Sequence, residues 1–270
     1  MARELIVRID GPLDSFYNMA FDEAMLYYTI KENVAVLRFY MWSQKTVTLG
    51  RRQLYPSISP WRDRQVAVTR RITGGSSLLH VPRKELTYSI TIPSTHTFYK
   101  KHGIASSAHE LAKAIARALT GLGFNAHAPG ITSKNTNRPY ICLLGNGSAD
   151  VYVEGKKISG AAQYREKRGL LQHGVILLDY DYREWTSIYQ AGSKDEEALR
   201  NKIIGLTSLG DIDLSNLIDR IVAEVSSLLG LEASYSNNLV ELVHASTRLS
   251  DNYRDPRWVI QGEKFWALTV

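Results

Sequence analysis

The order of apolar and polar positions along the chain predicts a mixture of strands and helices. Alternation with a period of two is typical of half-buried strands, whereas apolar residues spaced by three and four indicate amphipathic helices. The helix predicted near the N-terminus has Ser15 or Asn18 as its cap. The predicted strands lie at 5–9, 86–92 and 151–153, and the predicted helices at about 16–30, 103–122 and 214–229.

The C-terminal part of the chain continues this mixed pattern. Residues 239–270 predict a helix, a turn and a final strand. The sequence contains no internal repeat and no break in composition that would mark a linker. We therefore expect one α+β domain over residues 1–270, with the segment 239–270 packed on it.

Composition narrows the class of protein. The 270 residues are 44% hydrophobic and 22% charged, which is ordinary for a folded protein with a sizeable core. A single cysteine rules out an internal disulfide, and no Cys/His pattern has the spacing of metal ligands. The first residues do not form a signal peptide, and no apolar run is long enough to span a bilayer. We expect a cytoplasmic protein with no metal and no membrane contact.

The formal charge of +6 favours acidic partners through long-range attraction. Nucleic acid is one such partner. However, no dense block of Lys and Arg with interleaved aromatic residues is present, so we do not expect nucleic-acid binding.

Three stretches could carry chemistry. In the first, Lys157 precedes the small residues Ser159, Gly160 and Ala161, which let another group approach a cation closely, and the pattern predicts two strands joined by a basic loop. In the second, a strand ends in a Gly74–Gly75 turn, whose N–H groups could converge on an oxygen-rich ligand beside two arginines. The third is Cys142, and a lone cysteine is more often a buried small hydrophobe than a nucleophile.

One pair of adjacent carboxylates is a further candidate for chemistry. Asp22 and Glu23 point in different directions on a helix, so they do not form an acid/base pair. The sequence favours their interpretation as charges near a helix N-terminus, stabilised by the helix dipole.

The ordered set of motifs resembles one family, the lipoyl and octanoyl transferases and ligases of the lipoate–protein ligase superfamily. The resemblance implies the biotin/lipoyl protein ligase-type catalytic fold, in which mixed β-sheets are flanked by helices. The motifs are NMAFDEA at 18–24, RRITGG at 70–75, ELTYS at 85–89, KISGAAQ at 157–163 and LQHG at 171–174.

The superfamily contains two chemistries, and the chain looks closer to the cysteine-dependent octanoyltransferases. Cys142 lies fifteen positions before Lys157, the spacing that these transferases have between nucleophile and lysine. Ligases have an Asp a few residues after that point to help hold a metal, and the positions near Gly145 and Asn146 offer none.

The resemblance implies roles for the residues. Cys142 and Lys157 would be catalytic, with the Lys157 ammonium favouring the Cys142 thiolate. Either His80 or His173 is a candidate to take a proton from an amine. The expected substrate-binding residues are Arg70, Arg71, Thr73, Gly74, Gly75, Ser76, His80, Ser159, Gly160, Ala161, His173 and Gly174.

The implied reaction moves an octanoyl or lipoyl group from acyl carrier protein, through a Cys142 thioester, to a lysine of a lipoyl domain. The acceptors would be the lipoyl domains of 2-oxoacid dehydrogenase complexes or the glycine cleavage H protein, and no cofactor is expected. The alternative is an ATP- and Mg-dependent lipoate–protein ligase, which would need a separate accessory subunit. A second alternative is a non-catalytic protein that binds acyl carrier or lipoyl domains.

Overall fold

The computed structural model describes residues 4–56, 65–130 and 139–267. These form strands and helices in alternation, as the hydrophobic pattern predicts. The strands are β1 (Glu4–Leu13), β2 (Ala35–Trp42), β3 (Thr46–Leu49), β4 (Ala67–Arg70), β5 (Leu78–His80), β6 (Glu85–Pro93), β7 (Ala126–His127), β8 (Val151–Val153), β9 (Lys156–Glu166), β10 (Gly169–Leu177) and β11 (Glu232–Tyr235). The helices are α1 (Ser15–Glu32), α2 (Thr97–Lys101), α3 (Ile104–Thr120), α4 (Tyr182–Tyr189), α5 (Ser193–Lys202), α6 (Leu214–Leu229) and α7 (Val240–Arg254).

Within these residues the strands form two mixed sheets. The large sheet has the order β11-β1-β2-β6-β10-β9-β8-β7, with parallel pairs at one edge and antiparallel pairs through the rest. The small sheet has the order β4-β3-β5. Helices α1 and α7 pack together, as do α3 and α6, and each pair contacts strands of the large sheet. The predicted α+β class with mixed sheets flanked by helices is confirmed.

The first helix begins one residue earlier than its sequence suggests. The side chain of Asp14 accepts hydrogen bonds from the N–H groups of Phe16 and Tyr17, so Asp14 is the cap and neither Ser15 nor Asn18 is. Ser15 is instead the first residue of α1, and Asn18 is fully buried.

A tight turn delivers Lys157 to the large sheet. Glu154 and Gly155, between β8 and β9, both have positive φ angles, of 49° and 74°. Two successive residues in this conformation match the right-handed twist of a hairpin. The lysine lies in strand β9, and the basic turn of Lys167 and Arg168 joins β9 to β10, so the predicted pair of strands with a basic loop is confirmed.

The C-terminal segment is held by a buried guanidinium. Arg70, 1% exposed, donates from Nε and Nη2 to carbonyls of a π-helical turn (Arg257–Gln261) and from Nη1 to carbonyls of the loop 50–53. Burial, together with the neighbouring Arg71 charge, lowers the pKa of Arg70 to about 10, so the group stays cationic at neutral pH. The indole of Trp258 returns a hydrogen bond to the Arg70 carbonyl at 2.8 Å.

This segment also corrects one sequence prediction. The described residues 262–267 form no strand. They instead bring Lys264 and Trp266 to the carboxylate of Glu23, which also accepts from the Tyr253 hydroxyl. The ring of Trp266 packs against Tyr253 of α7, and residues 268–270 of the predicted strand lie outside the described residues.

Arg70 can be tested by a change that keeps the charge. Arg70→Lys should lower the free energy of unfolding by about 2–4 kcal/mol, because an ammonium cannot reach carbonyls on both sides and hydrogen bonds to a charged group are worth ~1.5–3 kcal/mol each. Urea unfolding would measure the loss. Arg52→Lys, at an exposed position of the same loop, is the matched control. Equal stability of Arg70→Lys and wild type would show that the hydrogen bonds of the Arg70 guanidinium are dispensable.

Candidate active site

A cleft lies between the large and small sheets. It encloses about 380 Å³ of empty space, part of which is open to solvent. Both sheets, helix α1 and the turn after residue 141 contribute to its wall. The lining residues are Met19, Tyr40, Trp42, Thr48, Arg71, Leu78, His80, Thr87, Cys142, Gly160, Ala161, Ala162, His173, Gly174 and Val175.

The cleft has an open side and a closed side. Cys142, Leu78, Ala161 and Ala162 are partly exposed, whereas Met19, Tyr40, Trp42 and Thr87 are buried. Apart from Arg71 and the two histidines, the lining is apolar or small. A narrow apolar cleft of this kind fits a hydrocarbon chain that enters from the side of Cys142.

The floor of the cleft depends on residues without bulk. A Cβ added at Gly174 would lie 2.7 Å from the Ala161 Cβ and 2.8 Å from the Tyr88 hydroxyl. One added at Gly160 would lie 3.3 Å from Cε of Lys157. The small residues that the sequence singled out are therefore required by close packing between β9, β10 and their neighbours.

Cys142 is fastened to the small sheet. It opens a short 3₁₀ turn (Cys142–Leu144), and its N–H donates to the Ser77 carbonyl at 2.8 Å. The Ser77 N–H and hydroxyl both donate to the Tyr140 carbonyl, at 3.2 and 2.7 Å. The cysteine is partly exposed and lines the cleft, so it is not the sealed interior residue that a lone cysteine usually is.

The Gly74–Gly75 turn wraps around the guanidinium of Arg71. Arg71 donates to the carbonyls of Gly74 and Ser76, and to the carbonyl and hydroxyl of Thr48. The N–H groups of Gly74, Gly75 and Ser76 have no acceptor among the described parts of the protein. Gly74 and Gly75 are exposed, so these donors are available to a ligand.

Lys157 is buried in an ion pair that the sequence analysis missed. Its ammonium lies 2.9 Å from the Asp150 carboxylate and donates to the Gly145 carbonyl at 2.8 Å. Asp150 also accepts from the N–H of Gly147 at 2.7 Å. Burial raises the pKa of Asp150, and the Lys157 charge opposes that rise. Lys157 is not among the residues that line the cleft.

Asp150 weakens one distinction drawn from the sequence. The sequence shows no acidic residue near Gly145 and Asn146, which separates this chain from the ligases, yet Asp150 follows only four positions after Asn146 and pairs with Lys157. The position of Asp150, seven residues before Lys157 and across the β8–β9 hairpin, is the feature of the sequence that could have predicted this ion pair.

A second buried carboxylate connects α1 to the cleft. Asp22 accepts hydrogen bonds from Arg38, Tyr40, Ser89 and His173 at 2.8–3.1 Å. Burial acts to raise its pKa, but His173 and Arg38 outweigh this effect and hold it below the ordinary value. The interpretation of Asp22 and Glu23 as dipole charges at a helix N-terminus was therefore wrong: both are buried partners of tertiary hydrogen bonds.

The two histidines of the cleft occupy similar settings. His173 bonds Asp22 through Nδ1 and the Thr73 hydroxyl through Nε2, at 2.8 and 2.7 Å. His80 bonds Glu85 at 2.6 Å and the Thr48 hydroxyl at 3.0 Å, and stacks on Trp42 with 3.9 Å between ring centroids. Since both ring nitrogens of each histidine are engaged, these contacts fit positioning, and a proton-accepting role remains a prediction.

The remaining predicted site residues fall in different places. Thr73 is buried against His173, Ser76 is partly exposed with its carbonyl on Arg71, and Ser159 is buried outside the cleft lining. Arg70 extends away from the cleft into the C-terminal segment. Gly160, Ala161 and Gly174 line the cleft, and their role in binding a substrate stays a prediction.

Comparison with known proteins decides the family. Residues 14–226 match the model of the lipoyl protein ligase A/B catalytic domain. The chain belongs to this family. Octanoyltransferase LipM of Staphylococcus aureus is 28% identical, with 93% of this chain and 96% of the relative covered. Octanoyltransferase LipM of Oceanobacillus iheyensis is 36% identical over 66% of each chain.

Solved structures of this family share the fold. A bipartite lipoate protein ligase from Thermoplasma acidophilum, studied with its E2 lipoyl domain, has a TM-score of 0.79 at 19% identity and covers 99% of this chain and 100% of that one. The predicted membership and catalytic fold are thus confirmed. Across the described ranges, none of the helices has the length and apolar character needed to cross a membrane.

The buried His173 predicts a pH dependence of stability. Burial lowers the pKa of His173, with Asp22 opposing. As pH falls below ~6.5, the unfolded chain binds a proton at this histidine before the folded chain does, so the free energy of unfolding decreases. His173→Gln should therefore show a shallower loss of stability than wild type between about pH 6.5 and 5.

Urea unfolding at a series of pH values would measure this slope. The exposed His127, changed to Gln, serves as the control and should leave the slope as it is in wild type. A slope unaltered by His173→Gln would mean that this ring is not held neutral by the fold.

Proposed function

We propose that the protein is an octanoyltransferase that carries the acyl group on Cys142 between a thioester donor and a lysine amine. The observation that carries the proposal is the placement of Cys142, partly exposed, on the open side of an apolar cleft. The relatives named octanoyltransferase support the same activity.

In the first step the Cys142 thiolate attacks the carbonyl carbon of the donor thioester. A new carbon–sulfur bond forms at Cys142, the donor's carbon–sulfur bond breaks, and the released thiolate takes up a proton. One thioester replaces another, so no external energy source is needed. The cleft contributes by burying the acyl chain, at ~0.8 kcal/mol per methylene.

In the second step a neutral lysine amine attacks the acyl-Cys142 thioester. An amide bond forms, the Cys142 thiolate leaves, and the nitrogen loses a proton to solvent. Amide formation makes this step downhill. We propose that the exposed N–H groups of Gly74 and Gly75, which have no acceptor among the described residues, hold the oxyanion, an interaction worth about 3 kcal/mol per donor.

The ion pair of Lys157 and Asp150 supports the turn that bears the nucleophile. The Gly145 carbonyl, which accepts from Lys157, belongs to the residue whose N–H bonds the Cys142 carbonyl at 3.0 Å. Lys157 thereby ties the residue that follows the short turn to strand β9. We assign it a positioning role in the transfer.

The donor we propose is acyl carrier protein, and the acceptor is a lipoyl domain of a 2-oxoacid dehydrogenase complex or of the glycine cleavage H protein. The net charge of +6 suits acidic partners of this kind. The bipartite ligase of similar fold was studied together with an E2 lipoyl domain. We propose that the reaction needs no ATP and no metal, because the donor thioester is already activated.

The acyl-enzyme can be observed directly. Incubation with octanoyl carrier protein in the absence of ATP should add one octanoyl mass to the peptide that contains Cys142, measured by intact-protein and peptide mass spectrometry. Cys142→Ser should lose the adduct and the transfer to lipoyl domains, because a hydroxyl is a far weaker nucleophile at neutral pH.

Two outcomes would contradict this mechanism. Cys142→Ser could modify lipoyl domains at the rate of the wild-type enzyme. Alternatively, transfer could require free lipoate and ATP and release pyrophosphate, which would establish the ligase reaction instead.

Adjacent lysines provide a matched test of the ion pair. Lys157→Met should lower kcat by about 100-fold, since loss of the tether displaces the Cys142 turn and small misplacements have effects of this size. Lys156→Met, at the partly exposed neighbouring position, should retain normal kcat. Circular dichroism would verify that both fold, and equal kcat values for the two variants would exclude the positioning role.

A further inference from the structure

Two cations lie close to Cys142, and their surroundings differ. Lys157 is tied to the residue that ends the Cys142 turn, and Arg71 lines the cleft together with Cys142. A thiolate is stabilised by a nearby positive charge only as far as that charge is not already neutralised by another group.

The charge of Lys157 is neutralised by the adjacent carboxylate of Asp150. Its ammonium forms a buried ion pair with Asp150 at 2.9 Å, and both side chains are at most 6% exposed. A pair of opposite charges this close acts on a third group as a dipole, whose field falls off faster than that of one charge. Two of the three ammonium protons are also used, by Asp150 and the Gly145 carbonyl.

The charge of Arg71 has no such partner. Its acceptors are neutral oxygens of Thr48, Gly74 and Ser76, and no carboxylate within the described residues lies at ion-pair distance from it. The residue is 5% exposed, so solvent screens its charge weakly. Among the described residues that line the cleft, it is the one Lys or Arg side chain.

Backbone hydrogen bonds bring Arg71 and Cys142 to neighbouring peptide units. Nη2 of Arg71 donates to the Ser76 carbonyl at 2.7 Å, and the N–H of Cys142 donates to the next carbonyl, that of Ser77, at 2.8 Å. Burial lowers the pKa of Arg71 and Cys142 acts in the opposite direction, in agreement with this proximity.

Three other titratable groups near Cys142, namely Tyr140, Tyr189 and His173, carry no charge at neutral pH. Burial raises the pKa values of Tyr140 and Tyr189, so both phenols stay protonated. Burial lowers the pKa of His173, which leaves that ring neutral as well. The second histidine of the cleft, His80, is bonded to Glu85 on the far side of Thr48.

We infer that Arg71, and not Lys157, is the cation that stabilises the thiolate of Cys142. This inference rests on the proposed function, because the Cys142 thiolate is the attacking species in the proposed acyl transfer. It gives the two basic residues separate tasks: Arg71 supplies the charge and Lys157 holds the turn.

The pH dependence of alkylation tests the assignment without any acyl donor. Because Cys142 is the single cysteine, the rate of carbamidomethylation by iodoacetamide, a neutral reagent, reports the fraction of this thiolate. The midpoint of the rate profile should move up by about one pH unit in Arg71→Gln. Arg71→Lys should move it less, because that variant keeps a positive charge.

Three further variants separate the alternatives. Arg51→Gln removes an equal charge from outside the cleft lining and should leave the midpoint unchanged. The double variant Lys157→Met/Asp150→Asn, which removes both charges of the ion pair, should also leave it nearly unchanged. Asp150→Asn should lower the midpoint, because the Lys157 charge is then no longer neutralised by a carboxylate. This variant still tests the inference if Arg71→Gln fails to fold.

The inference is overturned by either of two results. One is a midpoint that rises in the Lys157→Met/Asp150→Asn double variant and not in the Arg71 variants. The other is a midpoint that is unaltered or higher in Asp150→Asn. Neither result depends on transfer activity, so failure of this inference and failure of the proposed function can be told apart.

Discussion

The buried carboxylate of Asp22 is the interaction on which the rest of the structure depends. From the middle of α1 it accepts hydrogen bonds from β2, β6 and β10, the three central strands of the large sheet. A buried charge without partners is strongly unfavourable, so these donors must all be in place for the helix to dock. Through His173 the same group reaches Thr73 and thus the strand end that leads into the Gly74–Gly75 turn.

The sequence allowed much of the architecture to be predicted, because hydrophobic period is a local property. The periodic patterns identified α3, α6 and the long strand β6. The ordered motifs indicated the family, and with it the cleft residues Cys142, Gly160 and Gly174. These features are set by the spacing of residues along the chain. That spacing is known from the sequence without any knowledge of tertiary contacts.

The errors have a common physical origin in partners that become neighbours only when the chain folds. Asp22 and Glu23 look like ordinary helix charges until β2, β10 and the C-terminal segment supply their donors. The aromatic residues near the C-terminus look like a strand because alternation does not distinguish a sheet from packing on helices. Lys157 looked like a free cation because Asp150 becomes its neighbour only when the β8–β9 hairpin closes.

The adjacent arginines at the end of β4 illustrate how one dipeptide can serve two regions. Arg71 turns toward the cleft, whereas Arg70 binds the carbonyls of residues 258–260. This has a consequence for synthesis on the ribosome. The strand end that leads into the Gly74–Gly75 turn cannot satisfy its buried guanidinium until residues 258–260 have been translated and have left the ribosome.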